Sequence, residues 1–165
     1  MIEWVNSRQK TPLKKVVAWV ACPAENKIIY LVRDCDCLDI WHGQWVTIDN
    51  LLTMDGIDII LKSSTLTSSD VNVFLKHWLS GGCPRLKLFR ARIDSVDILQ
   101  VLDGLMHNAV FVEDRRNYTS PFGYNRTLSF GYDTKRADGV TATVCEQGNG
   151  TLAIAVWPET TYNYN

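Results

Sequence analysis

The chain has 165 residues, 46% hydrophobic and 21% charged, which is ordinary composition for one globular domain and excludes a disordered tail, a collagen-like fibre or a low-complexity linker. Seventeen Lys and Arg against eighteen Asp and Glu leave a formal net charge of −1. No cationic excess draws such a chain to a phosphate backbone, so no nucleic-acid partner is expected.

Taken in chain order, residues 1–48 read as strands and loop. Met1–Lys15 is polar, with Arg8, Lys10, Lys14 and Lys15, and the apolar stretch Val16–Cys22 stops at Pro23. That is not the pattern of an export signal. Val16–Val20 and Ile28–Val32 are β-branched segments separated by the turn-like Pro23–Lys27, and two strands are predicted there. Trp41 and Trp45 flank His42-Gly43-Gln44 without periodicity, and Ile48–Leu52 suits a short helical turn.

Residues 49–107 read as strand–helix units. Gly56–Leu61 is a β-branched, buried strand. Thr67-Ser68-Ser69-Asp70 then offers a hydroxyl N-cap with an acid three residues on, the pattern of a capping box. Val71, Phe74, Leu75, Trp78 and Leu79 form an amphipathic helical stripe. Gly81-Gly82 supplies its stop and Pro84 prevents continuation. The unit repeats with a strand at Leu86–Arg92, a cap at Asp94 with Asp97 three residues on, and a second stripe through Val96, Leu99, Leu102 and Met106.

Residues 108–126 read as a loop rich in aromatics. Residues 127–157 read as a β-meander of Thr127–Thr134, Val140–Cys145 and Leu152–Trp157, with turns at Ala137–Gly139 and Gln147–Gly150. Residues 158–165 read as a frayed tail. The expected fold is therefore one α/β domain over 1–165, with leucine-rich-repeat-like strand–helix units followed by a small antiparallel meander.

Few residues suggest chemistry. The five cysteines, Cys22, Cys35, Cys37, Cys83 and Cys145, are odd in number and irregularly spaced, which is no disulfide framework. Cys35-x-Cys37 with His42 lacks the second ligand pair of a zinc site, so no metal or other cofactor is expected. Gly148-Asn149-Gly150 lacks the Lys and the following helix of a phosphate loop. No nucleophile motif surrounds Cys83, His77 or His107, and no catalysis is expected. No apolar run reaches the ~20 residues of a membrane span, so no membrane partner is expected, and the expected compartment is cytoplasm or nucleus.

The aromatics carry the binding signal. Tyr118, Phe122 and Tyr124 sit beside Arg115 and Arg116, and Trp41 and Trp45 sit in an unpatterned segment. Aromatics with arginine are the composition of interface hot spots, so these seven residues are the candidate binding surface. The alternative is that the loop folds back on the sheet.

Two blocks are specific. Thr67-Ser68-Ser69-Asp70-Val71-Asn72-x-Phe74-Leu75-Lys76-His77-Trp78, continuing to Gly81-Gly82-Cys83-Pro84-Arg85-Leu86, resembles the core signature of the nematode F-box-associated domain, type 2. Tyr132-Asp133-x-Lys135-Arg136-x-Asp138-Gly139-x-x-Ala142-Thr143-Val144, with a later Val156-Trp157, is similar to that family's hairpin block. The resemblance spans about Asp49 to Trp157. It implies a protein-binding module, the substrate-recruiting part of an F-box protein in a cullin-type ubiquitin ligase. Met1–Leu31 shows no leucine-rich F-box pattern, so a Skp adaptor is an expected partner only if an F-box exists in the parent protein. The expected partner is a protein, either a degradation target or a toxin-like protein held by an F-box-less sequestering, antidote-type binder. A small cysteine-dependent enzyme is the remaining alternative.

Overall fold

The computed structural model describes residues 2–6, 14–18 and 35–158. The predicted strand Ile28–Val32, the turn Pro23–Lys27, Cys22 and the tail beyond residue 158 lie outside these. Eleven strands are described: β1 (Ile2–Asn6), β2 (Lys14–Ala18), β3 (Cys37–Ile40), β4 (Asp58–Leu61), β5 (Leu88–Arg92), β6 (Ala109–Val112), β7 (Arg116–Tyr118), β8 (Arg126–Leu128), β9 (Gly131–Lys135), β10 (Thr141–Glu146) and β11 (Thr151–Val156). Three α-helices accompany them: α1 (Ile48–Leu52), α2 (Ser68–Leu79) and α3 (Ile98–Val101).

Nine strands form one sheet in the order β1-β2-β3-β4-β5-β11-β10-β9-β6, and β7 and β8 form a separate two-stranded ribbon. From β2 to β5 neighbours are parallel. From β5 through β11, β10 and β9 to β6 they are antiparallel.

The sheet has helices on one face and the ribbon on the other, and strand alternation builds a core on each side. Leu38, Ile59, Leu61, Phe89, Val144 and Ile154 face the helices, where they meet Leu51, Phe74, Leu75, Trp78 and Val101. Phe74 and Phe89 rings lie 4.8 Å apart at 42°. Ile60, Leu88, Cys145, Ala153, Ala155 and Trp157 face the ribbon, where they meet Tyr118 and Leu128.

Helix α2 follows its local signals. Thr67 Oγ1 accepts from the Asp70 amide at 3.1 Å, and the Thr67 amide donates to Asp70 Oδ2 at 2.9 Å. Val71, Phe74, Leu75 and Trp78 are buried. Gly81, at φ +96°, takes the left-handed turn that ends the helix.

The leucine-rich-repeat-like α/β expectation is overturned: the molecule is mostly β. In place of the second long helix there are only the four residues of α3, capped by Asp97, and a 3₁₀ turn at Met106–Asn108. Leu99 and Met106, placed on a buried stripe by spacing, are 61% and 48% exposed. After that turn the chain adds no further parallel strand beside β5. It runs to the far edge of the sheet as β6, and β11 takes the place beside β5. The expected meander is thus part of the main sheet, and its first segment is split between β8 and β9. The expected 108–126 loop contains β6 and β7.

Candidate functional site

The aromatic segment after β7 is anchored to the sheet. Asp39 and Asp58 alternate with apolar residues in β3 and β4, so each points to the ribbon face, and both are buried. A carboxylate in that position needs donors. Tyr118 Oη donates to Asp58 Oδ1 at 2.5 Å, and Ser120 Oγ donates to Asp58 Oδ2. Tyr124 Oη donates to Asp39 Oδ2 at 2.6 Å. Burial and the adjacent carboxylates hold both phenols protonated, well above their ordinary range. Burial also pushes the Asp58 carboxyl upward, against the hydrogen bonds from Ser120 and Tyr118.

At the other end of the ribbon, Arg116 pairs with Asp133 at 2.6 Å and donates to Thr143 Oγ1 at 3.2 Å. Trp157 Nε1 donates to the same hydroxyl at 2.8 Å. Tyr118, Tyr124 and Arg116 therefore fasten the ribbon to the sheet. Of the remaining candidates in this segment, Phe122 is half-buried and Arg115 is exposed.

Trp41 lies elsewhere. It follows β3, is 36% exposed, and Lys62 Nζ sits 3.6 Å above its ring. Lys62 also pairs with Asp39 Oδ2 at 3.2 Å, so Asp39 links Trp41 and Lys62 to Tyr124. Trp45 is half-buried and packs against the helix-side core.

Beyond the carboxyl ends of β4 and β5 opens a cleft of about 550 Å³, walled by Gln44, Ser64, Thr65, Arg92, Asp94 and Asn149 among others. In open sheets with parallel strands this end is where loops diverge and ligands enter. Ser64 Oγ donates to the Arg92 carbonyl at 2.7 Å, tying the β4 and β5 ends together. Gly150, at φ +69°, lies against Ile93, whose carbonyl oxygen would be 2.7 Å from an added Cβ. Trp41, Lys62 and Arg92 thus mark the ends of three adjacent parallel strands. Sequence reasoning found Trp41 and missed Lys62, Arg92 and Gln44; Lys62 follows the β-branched run Ile57–Leu61 and Arg92 ends the strand Leu86–Arg92, and those positions were the available signal, while Gln44 carried none.

The thiols are poorly suited to attack. Cys35, Cys37, Cys83 and Cys145 are all buried. Burial, reinforced by Asp58, pushes the Cys37 thiol far up, and burial pushes Cys83 up to about 11. Among the described residues no three His, Cys, Asp or Glu side chains group as a metal site, and no helix is long and apolar enough to cross a membrane.

The two sequence blocks meet in space. The Arg136 guanidinium lies 4.9 Å from the Trp78 ring centroid and pairs with Asp138 at 2.7 Å. The hairpin block thus packs on the helix block. Arg85, in the Pro-Arg-Leu step, donates to Asp36 and to Asp55, clamping the segments that lead into β3 and β4.

A family model described as F-box associated matches residues 28–91, which include β3, α1, β4, α2 and most of β5. The Skn-1 dependent zygotic transcript 15 protein of Caenorhabditis elegans is 27% identical over 114 residues, covering 67% of this chain and 32% of the relative. These matches support a nematode F-box-associated type 2 domain. The chain spans about a third of that relative's length. No solved structure matches. The F-box-associated match ends at Ala91, so the hairpin block from Tyr132 onward lies outside it, although Arg136 of that block packs on Trp78 within it.

Proposed function

We propose that the chain is a protein-binding module that captures a target protein and, joined to an F-box, presents it to a ubiquitin-transferring complex in the cytoplasm or nucleus. The F-box-associated match over the parallel strands carries this reading. The capture surface is the rim at the carboxyl ends of β3, β4 and β5, where Trp41 and Arg92, of the residue types enriched at binding hot spots, stand with Lys62 and Gln44. The module performs no bond chemistry, in keeping with the burial that pushes the Cys37, Cys83 and Cys145 thiols up. Recruitment acts by raising the local concentration of acceptor lysines near the transferase.

The test is affinity capture from nematode extract with quantitative mass spectrometry, comparing wild type with a Trp41→Ala, Arg92→Glu double variant of unchanged melting temperature. The expected result is a target set retained by wild type and depleted at least tenfold by the variant, whose members accumulate when the protein is removed. Identical retention by both would refute the rim. Retained proteins whose abundance is unaffected by removal would refute degradation and favour sequestration.

A further inference from the structure

We propose that β6 is a self-complementary edge through which two copies of this chain join their sheets across a two-fold axis at Phe111. Among the described residues, strand β6 is the last strand of the nine-stranded sheet, paired with β9 on one side only. Exposed edges are usually blunted by proline, lysine, a bulge or a covering segment. Ala109-Val110-Phe111-Val112 contains no charge, proline or glycine. Val110 is 64% exposed and Phe111 51% exposed, so apolar surface projects from both faces of the edge. Met106, 48% exposed, and Phe130, 65% exposed, extend that surface at either end. The Phe111 ring is already oriented by an edge-on contact with Tyr132, centroids 5.3 Å apart.

The occupant follows from the register. In a two-fold pair with its axis normal to the sheet, opposed residues share a face, so their numbers share parity. Val110-Phe111-Val112 reads the same in both directions. An axis at Phe111 therefore sets Phe111 against its copy and Val110 against Val112, twice. The same register sets Glu113 against Ala109 and Asp114 against Asn108, so no two carboxylates meet. An axis at Val112 would oppose Phe111 to Glu113 and Val110 to Asp114; an axis at Val110 would oppose Asn108 to Val112. The axes at Phe111 and Val110 both make the three central pairs apolar, but only the axis at Phe111 sets aromatic against aromatic and β-branched against β-branched, whereas the axis at Val110 sets Phe111 against the small Ala109. Such cross-strand pairs are the unit of sheet stabilisation. This pairing leaves the rim at the β3–β5 ends free.

Sedimentation velocity on the whole chain over a hundredfold concentration range tests it. The expected result is a shift from the 18.7 kDa monomer toward twice that mass. Phe111→Lys and Phe111→Glu should each remain monomeric at the highest concentration, because the axis puts like charges face to face. An equimolar mixture of the two should dimerise, because it puts lysine against glutamate. Phe111 and Val110 both face solvent, and unchanged melting curves verify folding; Val110→Lys, opposed to Val112, serves as a second monomerising variant. A wild type monomeric throughout, a lysine variant that dimerises like wild type, or a mixture that stays monomeric would overturn the proposal.

Discussion

Replacing Tyr118 by Phe removes one oxygen and leaves the ring in place, so it isolates the hydrogen bond that fastens the ribbon. Tyr118 is 7% exposed and Asp58 fully buried, and the phenol supplies Asp58 Oδ1 with its donor at 2.5 Å. A hydrogen bond to an ionised carboxylate contributes about 1.5–3 kcal/mol, and one to a neutral carboxyl about half that. The loss should therefore depend on pH. Burial raises the folded-state affinity of Asp58 for a proton above that of the unfolded chain. Stability from this group is fullest below the ordinary carboxylate range and declines as pH rises through the raised folded value. Tyr118 favours the ionised form, so its removal raises that value further and the penalty grows with pH. Urea unfolding should show Tyr118→Phe destabilised by about 2 kcal/mol near pH 8 and by less than about 1 kcal/mol near pH 4. In an Asp58→Asn background the penalty should be small and independent of pH. A penalty that is largest in acid, or below about 0.5 kcal/mol at pH 8, would refute the assignment of this bond as the ribbon's fastening.

Trp78→Ala should cost about 3–5 kcal/mol in denaturant titration, because it opens the helix-side core and removes the surface on which Arg136 stacks. Asn72→Ala should cost about 1–3 kcal/mol and accelerate amide exchange in α3, because Asn72 Nδ2 donates to the carbonyls of Val101 at 2.8 Å and Asp103 at 2.9 Å and their loss orphans both.

Local signals were legible in the sequence and long-range order was not. Helix α2 could be read because its cap, stripe and stop lie within sixteen residues, Thr67 to Gly82. The second stripe failed because Leu99 and Met106 have helical spacing but face solvent, and spacing does not report what lies opposite. Nothing local says that β11 sits beside β5, since that pairing joins Thr151 to Arg92. The candidate surface was mixed for a related reason. Tyr118 and Tyr124 lack periodicity, which resembles exposure, yet their hydroxyls are held by Asp39 and Asp58. The clue was in the partners: Leu38-Asp39-Ile40 and Ile57-Asp58-Ile59 each place a carboxylate inside an apolar strand, where it must find a donor.

The position of β11 has a consequence for synthesis. It lies between β5 and β10, pairing Arg92 with Thr151 on one flank and Ala142 with Val156 on the other. A nascent chain carrying β3, β4 and β5 therefore holds Leu88 and Phe89 beside an open edge until residues near Val156 emerge from the ribosome. The central seam closes last, by a contact across about sixty residues whose loop-closure entropy falls on that final step. Until then the emerging polypeptide presents an unpaired apolar strand to every neighbour, and chaperone occupancy during translation should peak between the appearance of β5 and that of β11.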